Sequence, residues 1–219
     1  MQKIAIYGGS FNPIHNGHLI VAEEIRQLFC LDRVVFVPAA CPPHKSNETL
    51  IEARHRLNMV QLAIAGNPGF TISEMEIQRG GTSYTIDTLH AFHQQTDKPT
   101  QFYFIIGSDA FLELNTWRDA HELFHYTHFI VIERPGALIT RAIAFLQSFH
   151  PVDYQILTAP LFSCASITAH NSGKVFFTQA TLANISSSGI REEAASGKSL
   201  RYLVPDAVID YIKTMGLYQ

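Results

Sequence analysis

Short apolar runs separated by helix-period stretches predict an α/β fold: a doubly wound, mostly parallel sheet with helices on both faces. Three observations carry it. Ile4–Tyr7, Arg33–Val37, Phe102–Ile106, Phe129–Ile132 and Val175–Thr178 read as buried strands. The stretches between them repeat apolar residues at helical spacing. Polar, often glycine-bearing segments follow several of these strands, and in such sheets ligands bind beyond the carboxyl ends of strands.

The first strand leads into Gly8-Gly9-Ser10-Phe11-Asn12-Pro13-Ile14-His15-Asn16-Gly17-His18. A helix leaves this loop with Leu19, Ala22, Ile25, Leu28 and Phe29 on one face. Gly8 and Gly9 let backbone approach a ligand closely. Asn16 is the expected cap, and the first helical turn offers N–H groups and a positive dipole end, which together bind anions. His15 and His18 sit at that end and can each give a proton-bearing nitrogen to a phosphate oxygen. The plainer reading of these residues is a glycine turn with two surface histidines.

The remaining elements follow in order. Arg33–Val37 is a strand stopped by Pro38, and a polar loop over Ala40–Asn47 follows it. Glu52–Ala65 is a helix ended by Gly66-Asn67-Pro68. Phe70–Ser73 is a short strand, Gln78–Ser83 a loop and Tyr84–Gln95 a helix. Phe102–Ile106 is ended by Gly107; short helices are expected from Asp109 and over Asp119–His125. Phe129–Ile132 is stopped by Arg134-Pro135-Gly136, and Ile139–Phe149 is a helix. A strand near Gln155–Thr158 and a loop around Pro160 are expected, then the strand Val175–Thr178, a helix over Ser187–Ala195, and a last helix from Asp206 through Lys213. No repeat and no low-complexity linker divides the chain. Residues 1–219 are therefore expected to be a single domain, with a variable segment at 137–173 and a helical part at 187–219.

Composition sets the class. A hydrophobic fraction of 47% over 219 residues is globular, and a net charge of -3 without a basic run argues against a nucleic-acid partner. No stretch reaches membrane-spanning length and none reads as a signal peptide, so no membrane partner is expected. Cys30, Cys41 and Cys164 are few, odd in number and without C-x-x-C spacing, which suggests free thiols and a cytoplasmic protein.

The second constellation is Ile185-Ser186-Ser187-Ser188-Gly189-Ile190-Arg191. Serines at a helix start can cap it or bind phosphate, and Arg191 can reach the same anion one turn later. An over-supplied cap is the plain alternative. The two strings together, in this order, resemble the nucleotidyltransferase superfamily marked by H-x-G-H and Ile-Ser-Ser-[Ser/Thr]-x-Ile-Arg, which is Rossmann-like in fold. Pro42-Pro43-His44-Lys45, Ser83-Tyr84-Thr85-Ile86-Asp87-Thr88-Leu89, Ile106-Gly107-Ser108-Asp109 and Thr116-Trp117 narrow the resemblance to the bacterial nicotinate-nucleotide adenylyltransferase family. It runs from Lys3 to about Pro135 and again from Lys174 to the end; no motif covers 137–173.

This resemblance implies roles. Gly8, Gly9, Ser10, Phe11, His15 and His18 would hold ATP, with both histidines on its phosphates. Ser187, Ser188 and Arg191 would hold the triphosphate from the other side, and Gly107 and Asp109 the ribose. Lys45 would meet the phosphate of nicotinate mononucleotide, while Thr85 and Trp117 form the pyridine pocket. His15, His18 and Arg191 would be the catalytic set. Taken singly, Lys45 also fits a solvated loop, Asp109 a helix cap and Trp117 core packing. Asn12 stands where Asp is commoner, and Arg118 where an aromatic is commoner. Arg118 is therefore an added candidate at the pyridine pocket, turned inward or paired locally.

The implied reaction suits these groups. The mononucleotide phosphate is already anionic near neutrality, since its second pKa is about 6, and needs no general base. It attacks the α-phosphorus of ATP in line and pyrophosphate leaves, with no covalent enzyme intermediate. Catalysis then rests on alignment and charge neutralisation, with Mg²⁺ bound mainly through ATP phosphates and no protein metal ligand named. A monomer or small homo-oligomer is expected. Three alternatives stand beside it. His121-Glu122-Leu123-Phe124-His125 is a literal H-E-x-x-H, whose histidines would share a helix face in a zinc peptidase. A sister transferase with another acceptor and a non-catalytic nucleotide binder are the others.

Overall fold

The structure, a computed structural model, describes residues 1–43, 50–134, 136–157, 173–181 and 184–219. Its strands are β1 (Gln2–Gly9), β2 (Arg33–Pro38), β3 (Phe70–Ile72), β4 (Thr100–Gly107), β5 (His128–Ile132), β6 (Tyr154–Leu157) and β7 (Val175–Thr178). Among the described residues they form one sheet in the order β3-β2-β1-β4-β5-β7-β6, every neighbouring pair parallel.

Apolar side chains leave both sides of each central strand. Ala5, Tyr7, Val34, Phe36, Tyr103, Ile105, Ile130 and Ile132 enter one core. Ile4, Ile6, Val35, Val37, Phe102, Phe104, Phe129 and Val131 enter the other. That two-sided burial is why the strands read as continuous apolar runs. Helices α1 (Asn16–Leu28), α2 (Ala53–Ile64), α8 (Ser187–Ala195) and α9 (Asp206–Thr214) cover the first face. Helices α4 (Thr85–Gln94), α5 (Ser108–Leu112), α6 (Leu123–Tyr126) and α7 (Ile139–Phe149) cover the second. The Rossmann-like, doubly wound α/β prediction therefore holds, and the sheet is wholly parallel where described.

The chain leaves β1 toward β2 and β3, then returns to β4 on the other side of β1. The switch point lies between the carboxyl ends of β1 and β4, at Gly9 and Gly107, where this topology opens a crevice.

Several local expectations change. A short helix, α3 (Met75–Arg79), occupies the start of what reads as a loop. The helix expected over Asp119–His125 shrinks to α6, because Asp119 takes a positive φ of 50° that breaks helical continuity. The cap of α1 is His15, in extended conformation, rather than Asn16. Asn16 instead donates from its backbone N–H to the Leu203 carbonyl at 2.9 Å and from Nδ2 to the Tyr202 carbonyl at 2.7 Å. Cys30 is disulfide-bonded, so the expectation of free thiols fails there. Lys45, Cys164 and the loop around Pro160 lie outside the described residues.

Candidate active site

At the switch point the strand ends frame a cleft of about 870 Å³. Its walls carry Gly8, Gly9, Ser10, Phe11 and His18 from the first loop, Pro42 and Pro43 after β2, and Ser83, Tyr84 and Thr85 at the start of α4. Gly107, Asp109, Trp117 and Arg118 come from the segment after β4, Arg134 from the end of β5, and Ser186 and Ser187 from the start of α8. The polar clusters read after separate strands therefore meet on one rim.

The first loop is tightly held. Phe11 adopts φ of 45°, a left-handed turn, and buries its ring against Tyr7, Phe36 and His18. A Cβ on Gly9 would stand 3.2 Å from the Phe11 ring, so a side chain there would crowd the buried ring. His18 Nδ1 accepts a hydrogen bond from the His15 backbone N–H at 3.2 Å, half of a capping box. With Nδ1 accepting, the neutral imidazole carries its proton on Nε2, the nitrogen suited to donate to an oxyanion.

His15 stacks on His18 with ring centroids 3.6 Å apart, and it is buried. Burial, reinforced by the Arg134 guanidinium, holds its pKa down at about 4, so it is neutral near pH 7. Its Nδ1 is buried without a hydrogen-bond partner among the described residues. His18 lines the cleft and His15 stands behind it. The two histidines, alike in the sequence, occupy unequal places.

Ser187, Ser188 and Arg191 divide their work. Ser186 caps α8 by accepting from the Gly189 N–H at 3.1 Å, which is the plain reading of one serine in the run. Ser187 Oγ donates to the Pro13 carbonyl at 2.9 Å, and Arg191 Nη1 donates to the Asn12 carbonyl at 2.9 Å. Arg191 Nη2 also reaches Ser188 Oγ at 3.4 Å. The start of α8 is thus latched onto the first loop. Ser187 reaches the cleft wall, while Ser188 and Arg191 lie just outside it.

The other half of the cleft is aromatic, lined by Tyr84, Phe104 and Trp117. Trp117, half-buried, meets Phe104 edge-to-face at 6.2 Å. Thr85 is the first residue of α4, where the opening N–H groups have no acceptor within the helix. Arg118 is paired locally: its guanidinium lies over the Tyr84 ring at 4.9 Å and within 3.6 Å of Asp87 and 3.4 Å of Asp119. Its side chain is 52% exposed, so it borders the pocket mouth rather than filling the pocket. A Cβ on Gly107 would fall on the Asp109 carboxylate and 3.2 Å from Arg134 Nε, which explains the glycine.

Sequence reading missed Arg134. From the sequence it reads only as part of the turn that stops β5. In the structure its backbone N–H donates to Ser108 Oγ at 2.9 Å, and its guanidinium stands near the Tyr7 hydroxyl, both lining the cleft. The signal available was a cation directly after a central parallel strand, on the ligand-binding rim. It also missed Glu76, a buried carboxylate on α3.

The H-E-x-x-H string loses its scaffold. His121 precedes α6 and stacks on Phe149, with its Nδ1 3.1 Å from His150 Nδ1. Among the described residues no cluster of three or more His, Cys, Asp or Glu is arranged to hold a metal ion.

Fold and cleft together define a nucleotide-binding α/β protein of the nucleotidyltransferase class. The family model described as cytidylyltransferase-like matches residues 6–193. A relative from Geotalea uraniireducens, named probable nicotinate-nucleotide adenylyltransferase, is 48% identical over 99% of this chain and 98% of its own. One of the same name from Desulfatibacillum aliphaticivorans is 41% identical over 99% of this chain and 100% of its own. The chain belongs to the cytidylyltransferase-like family and, within it, to the nicotinate-nucleotide adenylyltransferases. The fold is also that of a solved nicotinic acid mononucleotide adenylyltransferase from Plasmodium falciparum, complexed with NaAD. That structure has a TM-score of 0.75 and 24% identity, covering 100% of this chain and 98% of that one.

Proposed function

We infer that this chain transfers the adenylyl group of ATP to nicotinate mononucleotide, giving nicotinate adenine dinucleotide and pyrophosphate in NAD biosynthesis. One observation carries the reading: a single cleft joins a glycine loop and helix start, at Gly8–His18, to a half-buried indole and a helix N-terminus, at Trp117 and Thr85. The first half suits a triphosphate and the second an aromatic acid. The relatives' shared name supports the same pair of substrates.

The residues then take these parts. Gly8, Gly9, Ser10 and Phe11 present backbone to ATP, and Gly107 and Asp109 take the ribose. His18 donates from Nε2 to the α-phosphate as charge grows there. His15, held neutral, buttresses the His18 ring by stacking. Arg134 supplies fixed positive charge at the cleft lining. Ser187 contributes its place at the cleft wall, and Arg191 and Ser188 keep α8 against the first loop so that its N-terminus faces the phosphates. Lys45 is assigned to the mononucleotide phosphate on the family motif alone. Trp117 stacks on the pyridine, and the opening N–H groups of α4 donate to the carboxylate.

The phosphate end of the cleft offers imidazole, guanidinium and N–H donors rather than a carboxylate cage. This fits Mg²⁺ carried in on the triphosphate, where it would neutralise charge on the leaving group. Nucleotides are the partners proposed; no described helix is long and apolar enough to cross a membrane. A cytoplasmic location is proposed from the reaction, and one chain carries every group named. The test is pyrophosphate release by the purified protein with ATP and a panel of mononucleotide acceptors. Release with nicotinate mononucleotide above all others supports the reading; release with another acceptor, or none, overturns it.

A further inference from the structure

Arg56 heads the fully buried side chains, with 0% exposure. Its hydrogen bonds run to backbone carbonyls: Nε to Ile51 at 3.1 Å, Nη1 to Ser10 at 2.8 Å and Nη2 to Ala40 at 3.0 Å. Burying a guanidinium is costly, and here desolvation pulls its pKa down. A neutral donor could satisfy one carbonyl. Only a planar fork spans Ser10 and Ala40 at once with fixed geometry.

Ala40 is gripped from its other side as well. Its N–H donates to Ser83 Oγ at 2.9 Å, and the Ser83 N–H donates to the Cys41 carbonyl at 2.9 Å. The Ser83 hydroxyl, whose oxygen accepts from Ala40, lies near the buried Glu76 carboxyl and favours its charged form against the burial that pushes its pKa up. Glu76 accepts from Thr88 Oγ1 at 2.5 Å, which pins the first turn of α4. A continuous chain, half-buried except at the fully buried Arg56, therefore runs from Ser10 in the nucleotide loop, through Arg56, Ala40 and Ser83, to the residues that open the pyridine half.

We propose that Arg56 and Ser83 are positioning residues whose chain through Ala40 couples the two halves of the cleft, so that filling either half favours filling the other. This rests on the reading of the cleft as an ATP and nicotinate mononucleotide site. The physical reason is shared ordering. A phosphate seated on the first loop fixes Ser10, and the guanidinium transmits that placement to Ala40 and Ser83. The second ligand then meets a loop already held, and the effect is reciprocal by linkage.

Titration calorimetry of the full chain tests it, with nicotinate mononucleotide and an ATP analogue whose α,β-bridge is methylene. The parent should bind the mononucleotide at least about fivefold more tightly when the analogue is present. In Ser83→Ala that factor should fall below about twofold while each ligand alone still binds, and Ser83→Thr, which keeps the hydroxyl, should restore it. Arg56→Lys, whose single ammonium cannot span both carbonyls, breaks the chain from its other end and should give the same loss. Independent binding of the two ligands to the parent overturns the proposal without further variants. So does undiminished coupling in either folded variant, or outright loss of mononucleotide binding in Ser83→Ala, which would make Ser83 a substrate contact. A parent that binds neither ligand overturns instead the reading of the cleft.

Discussion

At the scale of single residues, His18 and His15 show how burial separates two identical side chains. His18 faces the cleft with its Nδ1 accepting a backbone N–H, so its other nitrogen is the donor. Loss of one preorganised donor to a developing oxyanion costs roughly 3–4 kcal/mol, or about 10²–10³ in rate. His18→Ala should therefore fold, bind ATP and turn over about 10²–10³ more slowly; a kcat within a few-fold of the parent removes this role. Arg134→Gln removes the cation beside Tyr7 and His15 while keeping a hydrogen-bonding side chain. Its kcat/KM should fall by at least about tenfold, consistent with a charge-assisted contact of 1.5–3 kcal/mol, with little change in thermal midpoint. Arg118 is engaged by Asp87, Asp119 and the Tyr84 ring. Arg118→Ala should accordingly change kcat/KM for nicotinate and nicotinamide mononucleotides by the same factor. A selective loss for the acid shows that the side chain turns inward when substrate binds.

At the scale of elements, the carboxyl-terminal helices are braces for the first loop. Tyr211 on α9 accepts from Asn58 Nδ2 at 2.8 Å and meets His55 Nδ1 at 2.9 Å, both on α2, the helix that carries Arg56. Beyond α9, the Tyr218 hydroxyl donates to Asn12 Oδ1 at 2.9 Å, beside the carbonyl that Arg191 holds. Tyr218→Phe should cost about 1 kcal/mol of stability and raise KM for ATP more than KM for the mononucleotide, read by urea midpoint and initial rates. Asn12 thus serves as an acceptor for the chain's end rather than as the cap its type suggests. The short elements were the ones misread. Helices such as α3 and α6 span barely one turn, too little for helical periodicity to register, and packing against β2 and α4 respectively, rather than local propensity, holds them in place.

At the scale of the whole molecule, burial of neutral histidines links stability to pH. His15 and His128 lie on opposite ends of the sheet, and burial holds each near a pKa of about 4. Unfolded, each titrates near 6.5, so protons bind the unfolded chain more tightly in the window between. A depressed histidine pKa withdraws stability as pH falls: the contribution is complete above about 6.5 and is lost progressively toward 4, by at most about 3 kcal/mol for each group. Urea midpoints should decline across that window, and His128→Phe should flatten the decline by removing one of the two. An unchanged pH dependence in that variant assigns the effect elsewhere.

The sequence by itself determined the strand–helix alternation, the parallel sheet and the two polar strings. These are local facts: strands buried on both faces must be apolar throughout, and a helix start that binds anions needs glycine, hydroxyl and imidazole at fixed spacing. Gly8–Phe11, His18 and Ser187 were visible that way, Thr85, Gly107, Asp109 and Trp117 only through the family motifs, and all reach the cleft. Tertiary structure alone decided what each polar group faces. It set His15 behind His18, turned Arg191 onto the Asn12 carbonyl and Arg118 onto Asp87, brought Arg134 to the cleft, and buried Arg56 and Glu76 behind the loops. The reason is that most of these partners come from segments that follow other strands, dozens of residues away, and even His15 and His18 are set apart by what packs around them. Spacing along the chain carries no record of that distance; only the packed sheet, which sets neighbouring strands side by side, supplies it.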